Sequence, residues 1–395
     1  ATAKKCLDRD SFERFAEEKK QSVNYSFTIQ SNADRVFIRK GYEHSPRVVP
    51  FGKRCNCDVR VQFLQQCRHE TLEENGAFLL SLHDPRHIFH GMTKTGVKKM
   101  LLTIGAVITA LAATWYALFG LKPYTVTATE INQRYSYTQP QPLNMQLQAD
   151  DNNGYHFHYT SFDGAIVNGY MRLPETAKSG QPVPVLIGAH AMGRSYQRWW
   201  LPSYKERATR ESTDKITEMA LAKGYAVITI DARNHGERKD PQHSIVDIIN
   251  NLHWWGEREP YEQMLIDTVR DHRVLLDWLS HQPQFDATRI DIAGYSMGAQ
   301  VSLLLAAVDD RVNRVAAVVP PHMSNRTAIV APLSLLQGLT DNPVLLLTAN
   351  DDEYASEKEN MQLFNALPHS DKQHHKFAGG HLLPADYVQH FEPWL

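Results

Sequence analysis

The motif Gly-Tyr-Ser-Met-Gly at residues 294–298 constrains the fold of this chain more than any other feature. The segment 289–293 before it is predicted to be a short strand, and the apolar run 299–307 after it is predicted to be a helix. In that setting G-x-S-x-G is typical of a nucleophile elbow, whose tight turn strains the serine backbone and needs glycine because a Cβ atom would collide. We therefore predict that Ser296 is a catalytic nucleophile. The alternative is a purely structural turn in a parallel sheet.

The acid that would support such a serine is predicted at the end of a later strand. An apolar run that follows Pro343 and ends at Ala349 is typical of a strand buried on both faces of a parallel sheet. Three acidic residues come just after it. Asp352 occupies the position in the turn that such an acid usually takes, and Asp351 and Glu353 are the alternatives.

The general base is predicted to be His381, at the end of the Gly-rich loop 378–381. His374 and His375 are rivals, but they fall within a short predicted strand rather than in the loop after it. In this role the imidazole of His381 takes the proton of Ser296 and passes it to the leaving group, while the carboxylate holds the ring in the correct tautomer.

An oxyanion hole is predicted where the apolar run 183–189 ends in the small-residue loop 190–194. We predict that the backbone N–H groups of Met192 and of Met297, the residue after the nucleophile, donate to the carbonyl oxygen of the substrate. His190, in the same loop, is more simply explained as a packing residue than as a catalytic one.

These motifs resemble those of the α/β-hydrolase superfamily, and within it the dienelactone hydrolase and acyl-peptidase-like esterases. The resemblance covers about residues 155–395. T-S-F-D-G at 160–164 is similar to the family's hairpin turn between its first strands. H-A-M-G at 190–193 is similar to the family's H-G-x-G loop, with alanine in place of glycine. D-A-R-N-H-G-E-R at 231–238 is similar to a structural segment that follows the family's fourth strand. The resemblance implies the chain order Ser, Asp, His and a structural role for His235.

The fold class that follows is α/β, with a doubly wound, mostly parallel sheet of the α/β-hydrolase type. Further apolar strands are predicted at 225–230 and 315–319, and helices at 213–222 and 261–279. Such alternation of strands and helices implies parallel pairing with right-handed crossovers. We expect residues 320–338 to form a small lid that borders the pocket.

Two tryptophan pairs, at 199–200 and 254–255, are expected near the edge of the sheet where ligands bind. Each pair has two interpretations. It lines the substrate site, or it packs its own loop onto the domain.

An uncharged apolar run at residues 100–121 is long enough to cross a bilayer as a helix. Lysines precede it and aromatic residues cluster at its far end, as at a membrane interface. We predict a single-pass helix in the cell membrane, with the catalytic domain on the extracytoplasmic side. The alternative is a signal segment cleaved after A-L-A at 110–112, which would make the enzyme secreted or periplasmic. A buried globular helix fits poorly, because the run has no polar face.

The predicted organisation is an N-terminal region of uncertain structure (1–99), a membrane helix or signal segment (100–121), a linker (122–154) and the catalytic domain (155–395). The chain starts with alanine, and Met92 or Met100 would each give a conventional start, which leaves open whether residues 1–91 belong to the working protein. The cysteines are Cys6, Cys55, Cys57 and Cys67, and their spacing with His69 fits no common zinc site, so we predict no metal.

The predicted function is a serine hydrolase that cleaves an ester or related acyl bond through an acyl-enzyme intermediate. Its expected partners are a small-molecule acyl ester and, through the apolar run, the membrane. No cofactor is predicted, and a net charge of −2 gives no electrostatic reason to expect nucleic acid. The alternatives are a serine peptidase of the acyl-aminopeptidase type and a non-catalytic, membrane-tethered binding module.

Overall fold

A computed structural model of the chain describes residues 94–138, 143–150 and 152–395, and the backbone of three strands between residues 26 and 49. The four cysteines and His69, which were considered for zinc, lie outside the described residues.

The chain divides into two compact units, residues 1–94 and residues 95–395. In the first unit the strands β1 (Ser26–Asn32), β2 (Arg35–Gly41) and β3 (Arg47–Val49) form an antiparallel sheet.

The second unit is built on one large, mostly parallel sheet. Its strands are β4 (Gln146–Ala149), β5 (Gly154–Thr160), β6 (Ile166–Arg172), β7 (Val183–Ala189), β10 (Ala226–Ile230), β11 (Phe285–Tyr295), β12 (Val312–Val318), β13 (Val344–Ala349) and β14 (Lys372–Phe377), while β8 (Ser203–Tyr204) and β9 (Arg207–Ala208) form a separate ribbon. Within the described residues the strand order is β14-β13-β12-β11-β7-β10-β6-β5-β4. The strands from β14 to β10 pair in parallel, and β6, β5 and β4 add antiparallel partners at one side.

Helices cover both faces of this sheet. The helices of the described residues are α1 (Lys94–Phe119), α2 (Ala128–Tyr135), α3 (Thr213–Ala222), α4 (Ile245–Trp255), α5 (Glu259–Leu279), α6 (Met297–Val308), α7 (Pro332–Leu335), α8 (Glu357–Ala366) and α9 (Phe391–Trp394), of which α1 takes no part in this covering. Successive side chains of a strand point to opposite faces. Accordingly, Val185 and Ile187 of β7 join the core beneath α5 and α6, whereas Leu186 joins the core beneath α3 and the C-terminal residues.

Helix α1 is different, because its apolar side chains are exposed. Its residues Lys98–Phe119 are long and apolar enough to cross a membrane, and none of that stretch is buried. By length and composition the helix is a candidate membrane span.

Residues 122–154, predicted as a linker, instead form part of the second unit. Helix α2 begins with a capping box made by Thr127 and Glu130. Ile131 and Tyr135 lie four positions apart and so share one face of the helix, which packs on the core. The Tyr135 side chain is buried, and its hydroxyl donates to the carbonyl of Ile329 at 2.9 Å. A face of only two apolar residues is too short to be recognised as a helix from the sequence.

Candidate active site

Five loops meet at one edge of the sheet, because the carboxyl ends of parallel strands lie together. They follow β7, β10, β11, β13 and β14, and each carries residues singled out in the sequence. The site is therefore assembled from segments that are almost two hundred residues apart, between Ala189 and His381.

The turn between β11 and α6 holds Ser296 in a rare backbone conformation, with φ 58° and ψ −119°. The flanking glycines are required by contact. A Cβ atom on Gly294 would lie 2.1 Å from the carbonyl carbon of Gly298, and one on Gly298 would lie 2.0 Å from the carbonyl oxygen of Ala189. The Ser296 N–H donates to the carbonyl of Val318 at 2.8 Å, which fixes the turn on β12.

The side chains of Ser296, His381 and Asp352 form one hydrogen-bonded chain. The Ser296 Oγ is 2.7 Å from His381 Nε2. On the other side of the ring, His381 Nδ1 is 2.9 Å and 3.0 Å from the two Asp352 carboxylate oxygens. The Asp352 side chain is 1% exposed and that of His381 is 18% exposed, so the acid is shielded while the base remains accessible.

The three consecutive acidic residues have different positions. Asp352 faces the imidazole, whereas the carboxylate of Glu353 accepts from the backbone N–H of His381 at 2.9 Å. Asp351 is exposed, and its backbone N–H donates to the carbonyl of Gly379 at 3.0 Å. Two neighbouring carboxylates thus hold the histidine, one through its ring and one through its backbone.

Two tyrosines also position His381, and sequence reasoning did not find them. The Tyr295 hydroxyl donates to the carbonyl of His381 at 2.9 Å and accepts from the N–H of Leu383 at 3.0 Å. The Tyr354 ring packs edge-on to the imidazole, with centroids 4.6 Å apart. Tyr295 is a variable position of the G-x-S-x-G motif, so an aromatic residue with a polar end there was the available signal.

The loop after β7 lies beside the serine turn, because Gly298 has no side chain to keep it away. The loop is a turn closed by a hydrogen bond from Arg194 N–H to the carbonyl of Ala191, at 3.1 Å. Met192 lies within this turn and Met297 is the first residue of α6. A helix N-terminus leaves backbone N–H groups without intrahelical partners. Among the described residues, no protein acceptor receives the N–H of Met192 or of Met297.

His190 and His235 are buried next to each other and do not contact the serine oxygen. His190 Nε2 accepts from the N–H of Ala232 at 3.0 Å, and its Nδ1 lies 2.9 Å from the carbonyl of Ala191. Burial lowers the pKa of His190 to about 4. His235 Nδ1 lies 2.7 Å from the carbonyl of Arg233, and burial lowers its pKa to about 3. Both rings are therefore held neutral.

The neutral His235 predicts an acid-sensitive fold. Its pKa is about 3 in the folded chain against 6.5 as the ordinary value, so the unfolded chain binds the proton first. The contribution of His235 to the free energy of unfolding is complete above pH 6.5. Below that pH it should fall by about 1.4 kcal/mol per pH unit. Burial raises the pKa of Asp231 to about 6, which acts in the opposite direction between pH 6 and 3.8. The measurement is the free energy of urea unfolding against pH.

The variant His235→Asn isolates this contribution, because an amide can keep the donor to the Arg233 carbonyl. We expect the free energy of unfolding of this variant to depend less steeply on pH, with a slope that is smaller by the contribution of His235. The exposed His281 supplies the control His281→Asn, which should keep the original slope. Equal slopes for all three proteins would contradict the prediction.

A buried ion-pair network fixes the segment 231–238. The fully buried carboxylate of Asp271 receives Arg233 and Arg238, each at 2.7 Å. Arg233 also reaches Asp163, in the turn between β5 and β6, at 2.6 Å. Breaking a buried pair leaves an uncompensated charge, which typically costs about 3–5 kcal/mol. Two of the segments that resemble the family are thus joined by structural contacts.

The remaining sequence candidates make contacts elsewhere in the fold. His374 is in β14, where its Nε2 is 2.7 Å from the Thr348 hydroxyl. Trp199 is fully buried, and the Trp200 ring N–H donates to Thr229 at 2.6 Å, so this pair packs its own loop. His375 is also in β14, and its ring lies against that of His390. Residues 320–323 border a crevice that also includes Ala355, the neighbour of Tyr354.

Among the residues that the structure describes, no group of three or more His, Cys, Asp or Glu side chains is placed to hold a metal ion.

Comparison with known proteins gives the same fold. A family model described as the alpha/beta hydrolase fold matches residues 212–364. The "Putative hydrolase YtaP" of Bacillus subtilis (strain 168) is 25% identical over 153 residues, which are 37% of this chain and 48% of that protein. The chain therefore spans about half the length of this curated relative.

Solved esterase structures are also similar. A cold-adapted esterase from an Arctic intertidal metagenomic library shares 18% identity, with 65% of this chain and 99% of that chain covered and a TM-score of 0.46. An acetyl xylan esterase from Paenibacillus sp. R4 shares 17% identity, with 69% and 96% covered and a TM-score of 0.48. The mostly parallel sheet and the match of the family model over residues 212–364 make this part of the chain similar to the α/β-hydrolase superfamily.

Proposed function

We propose that this hydrolase is a serine esterase that works through an acyl-enzyme intermediate. The observation that carries the proposal is the hydrogen-bonded chain from Ser296 Oγ through the His381 ring to Asp352. A serine is a weak nucleophile unless a neighbouring base takes its proton, and here Nε2 is within reach of that proton.

In the acylation step, the Ser296 oxygen attacks the ester carbonyl carbon while its proton moves to His381 Nε2. The N–H groups of Met192 and Met297 stabilise the negative charge on the carbonyl oxygen. When the tetrahedral intermediate collapses, Nε2 returns the proton to the leaving alcohol and the acyl group remains on the serine.

In the deacylation step, Nε2 takes a proton from water, and the resulting nucleophile attacks the acyl-enzyme. Collapse of the second intermediate returns the proton to Ser296 and releases the carboxylic acid. Asp352 keeps its charge throughout and stabilises the imidazolium that forms in each step.

The proposal predicts that a fluorophosphonate labels the protein on Ser296, and that chromogenic esters are hydrolysed with a preference for one acyl chain length. The labelled peptide is identified by mass spectrometry. Labelling at another residue would move the nucleophile, and absence of both labelling and hydrolysis would favour the non-catalytic binding module. The chain-length profile identifies the acyl group.

We further propose that α1 anchors the protein in the cell membrane, with the hydrolase on the extracytoplasmic side. Its length and its apolar composition support the span, and the lysines before it support this orientation. The signal-segment alternative differs only in that the helix is removed.

If the anchor is retained, ester hydrolysis should stay in the membrane fraction after washing with salt or carbonate. External protease should reach the hydrolase once any outer barrier is opened. Activity in the soluble cytosol would contradict both the anchor and the export. Activity in the soluble exported fraction, with a new N-terminus near Ala113, would indicate a cleaved signal segment.

A further inference from the structure

The C-terminal end of α4 exposes two adjacent tryptophans. Trp254 is 62% exposed and Trp255 is 52% exposed, although a tryptophan pair at a protein surface is unfavourable in water. Val246, at the other end of the same helix, is 65% exposed. The opposite face of α4 packs on the domain through the buried residues Ile248 and Leu252, so the exposed tryptophans are not required for that packing.

The exposed tryptophans contact the end of α1. The Trp254 and Trp115 rings have centroids 6.0 Å apart, and those of Trp255 and Phe119 are 5.1 Å apart, both edge to face. These four residues form one aromatic patch. Gly256 ends α4 with φ 67°, and a Cβ atom there would lie 2.2 Å from the Phe119 carbonyl oxygen, so the approach of the two helix ends depends on glycine.

The end of α1 is also attached firmly to the hydrolase. Tyr124, five residues after α1, donates its N–H to the carbonyl of Asn325 at 2.9 Å. The Tyr124 hydroxyl donates to Glu262 at 2.6 Å and accepts from the N–H of Ile329 at 2.9 Å. Because of these contacts, no flexible linker separates α1 from the domain. The surface of the domain beside Phe119 therefore lies where α1 leaves the lipid.

Cationic side chains lie on tyrosine rings that are close along the chain to the aromatic patch. Lys122 Nζ is 4.7 Å from the centre of the Tyr116 ring, and the Arg258 guanidinium is 4.9 Å from that of Tyr124. Tryptophan and tyrosine rings with neighbouring cations are typical of the headgroup region of a bilayer. An aqueous surface would leave the tryptophan rings hydrated, whereas the interface accepts both the rings and the charges.

We propose that the end of α4 docks on the lipid surface that α1 enters, so that Trp254 and Trp255 lie among the lipid headgroups and the hydrolase rests on the membrane. The occupant is the bilayer, because the patch is continuous with the candidate span. This inference rests on the proposed membrane anchor and not on the esterase activity.

The experiment uses the full chain reconstituted in phosphatidylcholine vesicles whose acyl chains are brominated near the headgroup. Brominated lipid quenches tryptophan fluorescence only on contact. The chain has 7 tryptophans, and the patch contains Trp115, Trp254 and Trp255. For the variant Trp254→Phe/Trp255→Phe, we expect the quenched part of the emission to fall to about a third, because one of the three interfacial tryptophans remains.

The matched control is Trp278→Phe/Trp394→Phe, which removes two tryptophans outside the patch and should leave the quenched part unchanged. Thermal unfolding of each variant, rather than its activity, verifies the fold. Equal quenching in the wild type and the Trp254→Phe/Trp255→Phe variant overturns the docking. Absence of all quenching overturns the span as well, and a concentration-dependent dimer that shields the tryptophans assigns the patch to a second copy instead. None of these results depends on whether the protein hydrolyses esters.

Discussion

Replacement of Ser296 by alanine is expected to lower kcat for ester hydrolysis on the order of 10⁶-fold and to abolish fluorophosphonate labelling. The reason is that the hydroxyl beside His381 Nε2 is the proposed point of covalent attachment, and alanine leaves water as the only nucleophile. The fold should survive, because the strained backbone at Ser296 is held by its N–H bond to Val318 and not by its side chain. Steady-state hydrolysis of a chromogenic ester and gel fluorescence measure the two losses.

The effects on kcat of removing the proposed nucleophile and of removing the proposed base should not be additive. We expect His381→Ala to cost nearly as much as Ser296→Ala, and the double variant to lose little more. Ser280→Ala is the matched control, because this serine caps the end of α5, where its hydroxyl donates to the carbonyl of Leu276. Additive losses in the double variant, or full activity after Ser296→Ala, would contradict the proposed mechanism.

Asp352→Asn is expected to lower kcat by about 10⁴-fold with little change in stability. The amide is nearly isosteric, but it can present an N–H to His381 Nδ1 and so favour the tautomer that cannot accept the serine proton. The buried position of Asp352 keeps water from replacing the carboxylate.

Asp351→Asn is the matched control, because this exposed carboxylate is one residue away and only its backbone N–H takes part, through the carbonyl of Gly379. We expect it to retain most of the activity of the wild type. Turnover that falls more in Asp351→Asn than in Asp352→Asn would reverse the assignment of the acid.

The central strands could be predicted because a parallel sheet buried on both faces requires continuous apolar runs. The run predicted to follow Pro343 and end at Ala349 is β13 (Val344–Ala349), and the helix predicted at 213–222 is α3 with the same bounds. Strand β11 begins at Phe285, earlier than predicted. Its first part contains residues 286–288, which are half-buried or exposed and have no apolar pattern to reveal them.

The sequence by itself identified the side chains that are proposed to carry the chemistry. A glycine-flanked serine after an apolar strand, an acid after another and a histidine in a glycine-rich loop are local features, and each can be recognised without knowing its neighbours.

Only the tertiary structure decided how these side chains are divided among roles. Asp352 contacts the imidazole of His381, Glu353 contacts its backbone N–H, and Tyr295 contacts its carbonyl. Each of these contacts joins segments that follow different strands. It also decided that α2 packs on the core and that α4 meets the end of α1. The physical reason is that such contacts depend on distances between distant segments, whereas a hydrophobic pattern reports only the neighbours of a residue along the chain.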